Sequence, residues 1–252
     1  MGEAVMYVIK SPLKYFPIQI GDYKLLFHEK FNSFSLLEKN NSWMGYDQNS
    51  FWQSSEFYIE IERAFGVCVT TGLGLGILQS NLMLKDNVSK VIVYEKSKDL
   101  IEIFNEIVKF NNFDISKLEI RQGNADEISN VNCDCLFADH FDNEPQEHII
   151  NVVKSLSEKN NANLVWFWPA GNYLIKFVNR QNKDLDNSSY ELWKQYTGIK
   201  KLPTDFSDDI FAYLKHLQNV YTKDLPDGNK LKSGIDLSVM RKNMLEQSKK
   251  MR

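Results

Sequence analysis

The sequence predicts an α/β protein in which a mainly parallel sheet is covered by helices on both faces. Three observations carry this. Short apolar runs bounded by turn residues recur at residues 67–70, 91–94, 118–121, 135–138 and 164–168. Between them lie segments with helical periodicity, and strands alternating with helices are the pattern of βαβ units. Finally, 252 residues with 43% hydrophobic and 13% aromatic side chains suit one large domain with a sizeable core.

In chain order, residues 18–20, 23–27 and 34–37 alternate in polarity, with turns at Gly21-Asp22 and residues 30–33, and read as a small β-meander. From Ser54 the period becomes helical. Phe57, Ile61, Ala64 and Phe65 share a face, Ser54 or Ser55 supplies an N-cap and Gly66 a C-terminal stop. Strand 67–70 then feeds a glycine loop at 72–76 and a helix at 77–84. Strand 91–94 precedes a helix over 99–110 that turns Ile101, Phe104, Ile107 and Val108 inward. Strands 118–121 and 135–138 follow. Pro145 opens a helix carrying Ile149, Val152, Val153 and Leu156, and strand 164–168 ends at Pro169. Beyond Gly171 the pattern is helical, with one helix over 190–196 stopped by Gly198. Another is capped by Ser207-Asp208-Asp209 and runs to Tyr221. The expected architecture is a Rossmann-like three-layer sandwich with a small N-terminal β-element and a helical C-terminal extension. Its expected divisions are 1–53 (β-element and lid), 54–180 (core) and 181–252 (extension with a basic tail).

Charge and cysteine content exclude several classes. Thirty Lys+Arg against 33 Asp+Glu leave a net charge of -3, so no global basic field advertises nucleic acid. Only residues 229–252, with seven Lys/Arg against two acids, offer nucleic acid or an acidic partner a local patch. Cys68, Cys133 and Cys135 lack a second ligand pair at zinc spacing and read as buried thiols of a reducing compartment. No metal site is expected. The N-terminus lacks the apolar core of a signal peptide, and the apolar stretch 64–84 is broken by glycines. A cytoplasmic protein that binds no membrane is expected.

The chemistry concentrates at the carboxyl ends of the strands. Thr70-Thr71-Gly72-Leu73-Gly74-Leu75-Gly76 joins a strand to a helix, and glycines let a ligand approach the backbone. The dinucleotide spacing G-x-G-x-x-G fails because Ile77 stands at its last position, and a phosphate-loop Lys is absent. G-x-G-x-G remains, a form suited to an adenosine-bearing amino acid. Glu95 ends the second strand 23 residues past Gly72, where an acid accepts ribose hydroxyls; a surface ion pair is the competing reading. Gly123-Asn124-Ala125-Asp126 suits an adenine edge, or is a turn rich in turn formers. Asp139, with His140 and Phe141, ends the fourth strand.

Together these segments resemble the class I S-adenosylmethionine-dependent methyltransferase superfamily over roughly residues 54–168. Trp43-Met44, the glycine loop, Tyr94-Glu95-Lys96 and Asp139-His140-Phe141 look most like a spermidine-synthase-like branch found in phage and bacterial sequences. The resemblance implies S-adenosylmethionine as cofactor. It places Thr70, Gly72, Leu73, Gly74 and Gly76 at the methionine and ribose part, Glu95 and Lys96 at the ribose, and Asn124, Ala125 and Asp126 beside adenine. Asp139 then lies next to the transferred group. The chain departs from the superfamily where an acid commonly precedes the first glycine by two positions, since Thr70 stands there. It lacks an N/D-P-P-Y tetrapeptide at Asp139 and the acidic triple-glycine loop of aminopropyltransferases. The antiparallel strand pair that commonly closes such sheets is not evident after Trp168.

Methyl transfer is an in-line displacement, so the protein chiefly positions reactants and removes a proton. Asp139 and His140 are the candidate bases, although a lone His after a strand is more often a packed or capping residue. Trp43, Met44, Phe51 and Trp52 form either a lid or the packing of the β-element on the sheet. Trp166 and Trp168 read as core. The expected function is methyl transfer to an unidentified small-molecule or protein acceptor, with aminopropyl transfer and a silent nucleoside-binding protein as alternatives. A homodimer is compatible with the sequence.

Overall fold

The structure, a computed structural model, describes residues 10–47, 57–141 and 144–223. The N-terminal part is an antiparallel meander of four strands, β1 (Ile18–Ile20), β2 (Tyr23–His28), β3 (Ser33–Glu38) and β4 (Asn41–Asp47), in sequential order. Its last strand is one more than the sequence pattern predicts. Lys39 and Asn40, both at positive φ, form the two-residue turn that folds β4 back onto β3.

Next come α1 (Tyr58–Arg63), β5 (Gly66–Thr71), α2 (Ile77–Met83), β6 (Val88–Glu95), α3 (Lys98–Asn111) and β7 (Leu118–Gln122). They are followed by β8 (Asn132–Ala138), α4 (Gln146–Lys159), β9 (Asn161–Phe167), α5 (Ala170–Arg180), α6 (Asn187–Thr197) and α7 (Asp208–Lys223). The five strands β5 to β9 make one sheet in the order β7-β6-β5-β8-β9, every pairing parallel. The β5–β6, β6–β7 and β8–β9 crossovers carry α2, α3 and α4, whereas β7 passes to β8 through a short 3-10 turn at Ala125–Glu127. Strand order reverses on either side of β5, so the switch point lies between the tips of β5 and β8, where open α/β sheets leave room for a ligand. The expected three-layer α/β sandwich is therefore present.

Two local readings change. Gly66 does not stop α1, which ends at Arg63; it opens β5 at φ +60°, and the Asp134 carboxylate occupies the space a side chain would take. Phe65 is more than a third exposed rather than inward-facing. In α3 the buried stripe is Leu100, Ile103, Phe104, Ile107 and Val108, with Ser97 Oγ accepting from Leu100 N–H as N-cap. The C-terminal helices pack on the β9 side through aromatic contacts. Trp166 meets the Phe206 ring edge-on at 5.5 Å, and Tyr190 stacks on Phe206 at 4.2 Å. Trp166 is core, as expected. The three cysteines are buried free thiols, and among the described residues no helix is long and apolar enough to cross a membrane. Ser54, Ser55, Phe51, Trp52 and the basic tail lie outside the described residues.

Candidate functional site at the strand tips

Gly72 to Gly76 leaves the tip of β5 and doubles back into α2, with Gly76 N–H donating to Leu73 O at 2.8 Å. Two of its glycines have packing reasons. A Cβ on Gly72, at φ +76°, would lie 2.2 Å from the backbone oxygen of Asp139, so only glycine lets the β5 and β8 tips come together. A Cβ on Gly76 would lie 2.2 Å from the Phe104 ring of α3. Gly74 differs: its neighbour is Met44 of the meander, with Sδ 3.2 Å from the Cβ position. Of the three, Gly74 alone borders another domain element rather than the sheet's own framework.

Thr70, two positions before the first glycine, is fully buried. Gln79 of α2, itself buried, donates Nε2–H to Thr70 Oγ1 at 3.1 Å and to Gly72 O at 2.9 Å, pinning the start of the loop. Gln79 escaped the sequence reading. The signal was a lone amide inside the apolar run Ile77-Leu78-Gln79, since a buried polar side chain needs partners.

Glu95 ends β6 at 4% exposure. Its Oε2 accepts from Leu73 N–H at 2.9 Å and its Oε1 from Ser97 N–H at 2.7 Å. The carboxylate thus ties the glycine loop to the start of α3. Tyr23 of β2 lies beside this group, its hydroxyl donating to Glu38 at 3.0 Å. Burial pushes the Tyr23 phenol up to about 12, with the Glu38 and Glu95 charges adding to the effect. Tyr15 donates to Leu75 O at 3.1 Å, so the N-terminal segment holds the loop from above. Lys96 is exposed.

At the β7 tip, Asn124 Oδ1 accepts from Asp126 N–H at 3.1 Å and starts a single 3-10 turn with Ala125 buried inside it. Asp126 does not point away from the sheet. Its Oδ1 lies 2.9 Å from Nε2 of His140, whose Nδ1 lies 2.6 Å from Thr71 Oγ1. Both ring nitrogens of His140 are therefore engaged, and the ring stacks against Phe141 at 4.2 Å. Burial holds the imidazole below its ordinary value near 6.5, against the opposing pull of the Asp126 and Glu144 carboxylates. Asp139, half-buried, donates its N–H to Thr71 O at 3.1 Å and Thr71 Oγ1 at 3.0 Å. The structure thus brings the tips of β5, β6, β7 and β8 into one hydrogen-bonded unit. Trp43 and Met44 lie in β4, and the Met44 side chain reaches Gly74 of the loop. Among the described residues no cluster of three metal-ligating side chains occurs.

No protein-family profile matches this sequence, and neither does any curated protein. Solved structures do match in part. A spermidine synthase from Thermotoga maritima covers 57% of this chain and 53% of its own, at 16% identity and TM-score 0.41. A spermidine synthase in complex with the transition-state analogue AdoDATO covers 60% and 55%, at 15% identity and TM-score 0.43. An S-adenosylmethionine-dependent methyltransferase from Clostridium acetobutylicum covers 40% and 41%, at 12% identity and TM-score 0.30. The chain spans little more than half the length of the two synthases. The fold rests on strand order and direction, described above, and not on these overlaps.

Proposed function

We propose that this chain is a transferase that binds S-adenosylmethionine across the tips of β5, β6 and β7 and methylates a small-molecule or protein acceptor presented at Asp139. One observation carries the reading. Glu95, the acid placed for ribose hydroxyls, is hydrogen-bonded to Leu73 of the glycine loop, so the two parts of a nucleoside cradle move as one unit beside the switch point. The residues fit the cofactor. Each Glu95 oxygen accepts one backbone N–H, and a carboxylate oxygen accepts a second bond. The bare face of Gly74 suits the amino-acid tail once Met44 swings aside. When bound, the cofactor supplies an electrophilic methyl carbon. The protein's own part is to hold the acceptor in line and to take its proton at Asp139, at the tip of β8 beside the glycine loop.

Aminopropyl transfer is a second reading, favoured by the small N-terminal β-element, whose Met44 meets Gly74 while Tyr15, just before β1, donates to Leu75 O. Incubation with S-adenosylmethionine and pooled acceptors separates the two. S-adenosylhomocysteine as product means methyl transfer, whereas methylthioadenosine means aminopropyl transfer or cofactor cleavage. Binding without either product supports a silent nucleoside-binding protein. Glu95→Ala is expected to weaken S-adenosylhomocysteine binding by at least ~1.4 kcal/mol, a factor of ten. Unchanged affinity in calorimetry, with a folded variant, removes the ribose assignment.

A further inference from the structure

Resting on the reading of the strand tips as a ligand site, we propose that Thr71, His140 and Asp126 form a proton-ordered relay. Thr71 O–H donates to Nδ1 of His140 and Nε2–H donates to Asp126, and a second proton on His140 unlocks the ligand site. This goes beyond the assignment of His140 as a base and makes it a positioning residue.

The proton order follows from the geometry. A carboxylate only accepts, so the nitrogen 2.9 Å from Asp126 Oδ1 must carry a hydrogen. A neutral imidazole has one N–H, which leaves Nδ1 as a bare lone pair. The Thr71 hydroxyl 2.6 Å from Nδ1 must therefore be the donor. Its own lone pair remains for the Asp139 N–H at 3.0 Å. Every hydrogen has one consistent place, and the opposite tautomer would set the Nε2 lone pair against the carboxylate. The chain Asp139 N–H, Thr71 O–H, His140, Asp126 spans the tips of β5, β8 and β7, and each bond polarises the next.

A second proton breaks that order. It goes to Nδ1, whose N–H then takes the second lone pair of Thr71 Oγ1 and turns the hydroxyl hydrogen away from the ring. Thr71 is fully buried, so its hydroxyl has no route to water and loses the acceptor it has here. Relief requires the β8 tip, with Asp139, to move relative to the glycine loop. The charges facing the ring come from three directions. Asp126 after β7 and Glu144 before α4 favour the proton, while Lys96 after β6 opposes it. Burial of the ring, stacked on Phe141, outweighs the acids and keeps the imidazole neutral at physiological pH.

Two measurements on the full chain test this. Long-range proton–nitrogen NMR should show His140 as the Nε2–H tautomer at neutral pH. The Asp139 amide should titrate at the same midpoint, below the ordinary 6.5. Thr71→Val should uncouple the amide from the ring and Thr71→Ser should recouple it. The Nδ1–H tautomer, an imidazolium at neutral pH, or an Asp139 amide indifferent to the ring overturns the relay. Calorimetry with S-adenosylhomocysteine should show affinity falling with pH, approaching about tenfold per unit below the His140 midpoint, as for release of one proton. His140→Gln should flatten that slope. Wild-type binding that ignores pH overturns the unlocking. Absence of binding at every pH refutes the S-adenosylmethionine reading, and the relay then stands or falls on the spectra alone.

Discussion

Replacing Gly72 by alanine separates a glycine kept for packing from one kept for a ligand, because its effect is read on the protein alone. The alanine must adopt φ +76°, and left-handed backbone costs an L-residue about 1–2 kcal/mol. Its Cβ would also stand 2.2 Å from Asp139 O, 3.1 Å from Asp139 C and 3.2 Å from His140 Cα, all backbone atoms that no rotamer change can clear. Forcing a methyl group into a packed site adds about 1–3 kcal/mol. Parting the tips also loosens the Asp139 N–H bonds to Thr71, about 0.5–1.5 kcal/mol for one net hydrogen bond. The expected loss is roughly 3–6 kcal/mol. Urea denaturation followed by near-ultraviolet circular dichroism, with no ligand present, measures it. A loss below about 1 kcal/mol would show that the β5 and β8 tips are not locked as described.

Gln79→Met leaves Thr70 Oγ1 and Gly72 O without their side-chain donor and should lower unfolding free energy by about 1–3 kcal/mol; a neutral result in denaturant titration would remove Gln79 as the pin of the loop. Burial pushes the Cys133 thiol up to about 12, and the hydrogen bond with Cys135 together with burial pushes Cys68 up, so these groups stay protonated. Thiol titration should find them silent in native protein near pH ~8 and reactive after denaturation; fast native labelling of either contradicts their placement. His140 is depressed in the folded state, so the unfolded chain takes the proton first as pH falls. Its contribution to stability is complete above about 6.5 and is lost progressively as pH drops through the depressed folded value. Wild type should lose stability over that window more steeply than His140→Gln, and parallel profiles would refute the assignment.

All five parallel strands and their intervening helices were legible in sequence, because a doubly covered sheet demands continuous apolar runs and its helices demand a periodic stripe. Ends were less legible. β6 begins three residues before the apolar run at Val91, since Gly66 and Val67 of β5 pair with Val88 and Lys90 across a register shift that skips Ser89. β4 reads Asn41-Ser42-Trp43-Met44-Gly45-Tyr46-Asp47, with no clean alternation, and exists because β3 supplies its ladder across a register shift at Leu36/Leu37. Loop residues that bind backbone in cis, such as Asn124, announced themselves by type. Residues that reach the site from another element, such as Tyr15, Tyr23 and Gln79, did not. Their role depends on which surfaces the fold brings together, and that information is not local.

The glycine motif illustrates the consequence for function. Gly72 and Gly76 are demanded by Asp139 and Phe104 whether or not anything binds, so G-x-G-x-G in this chain is first a statement about packing. What raises it above that is Glu95. A carboxylate at 4% exposure is stable only because two backbone N–H groups hold it, and a neutral residue could have filled the space without desolvating a charge. In the fold the charge ties the loop to α3; on the proposed reading it also serves a ligand offering hydroxyl donors, because a carboxylate oxygen accepts a second bond and a loop already in place lowers the ordering cost of binding.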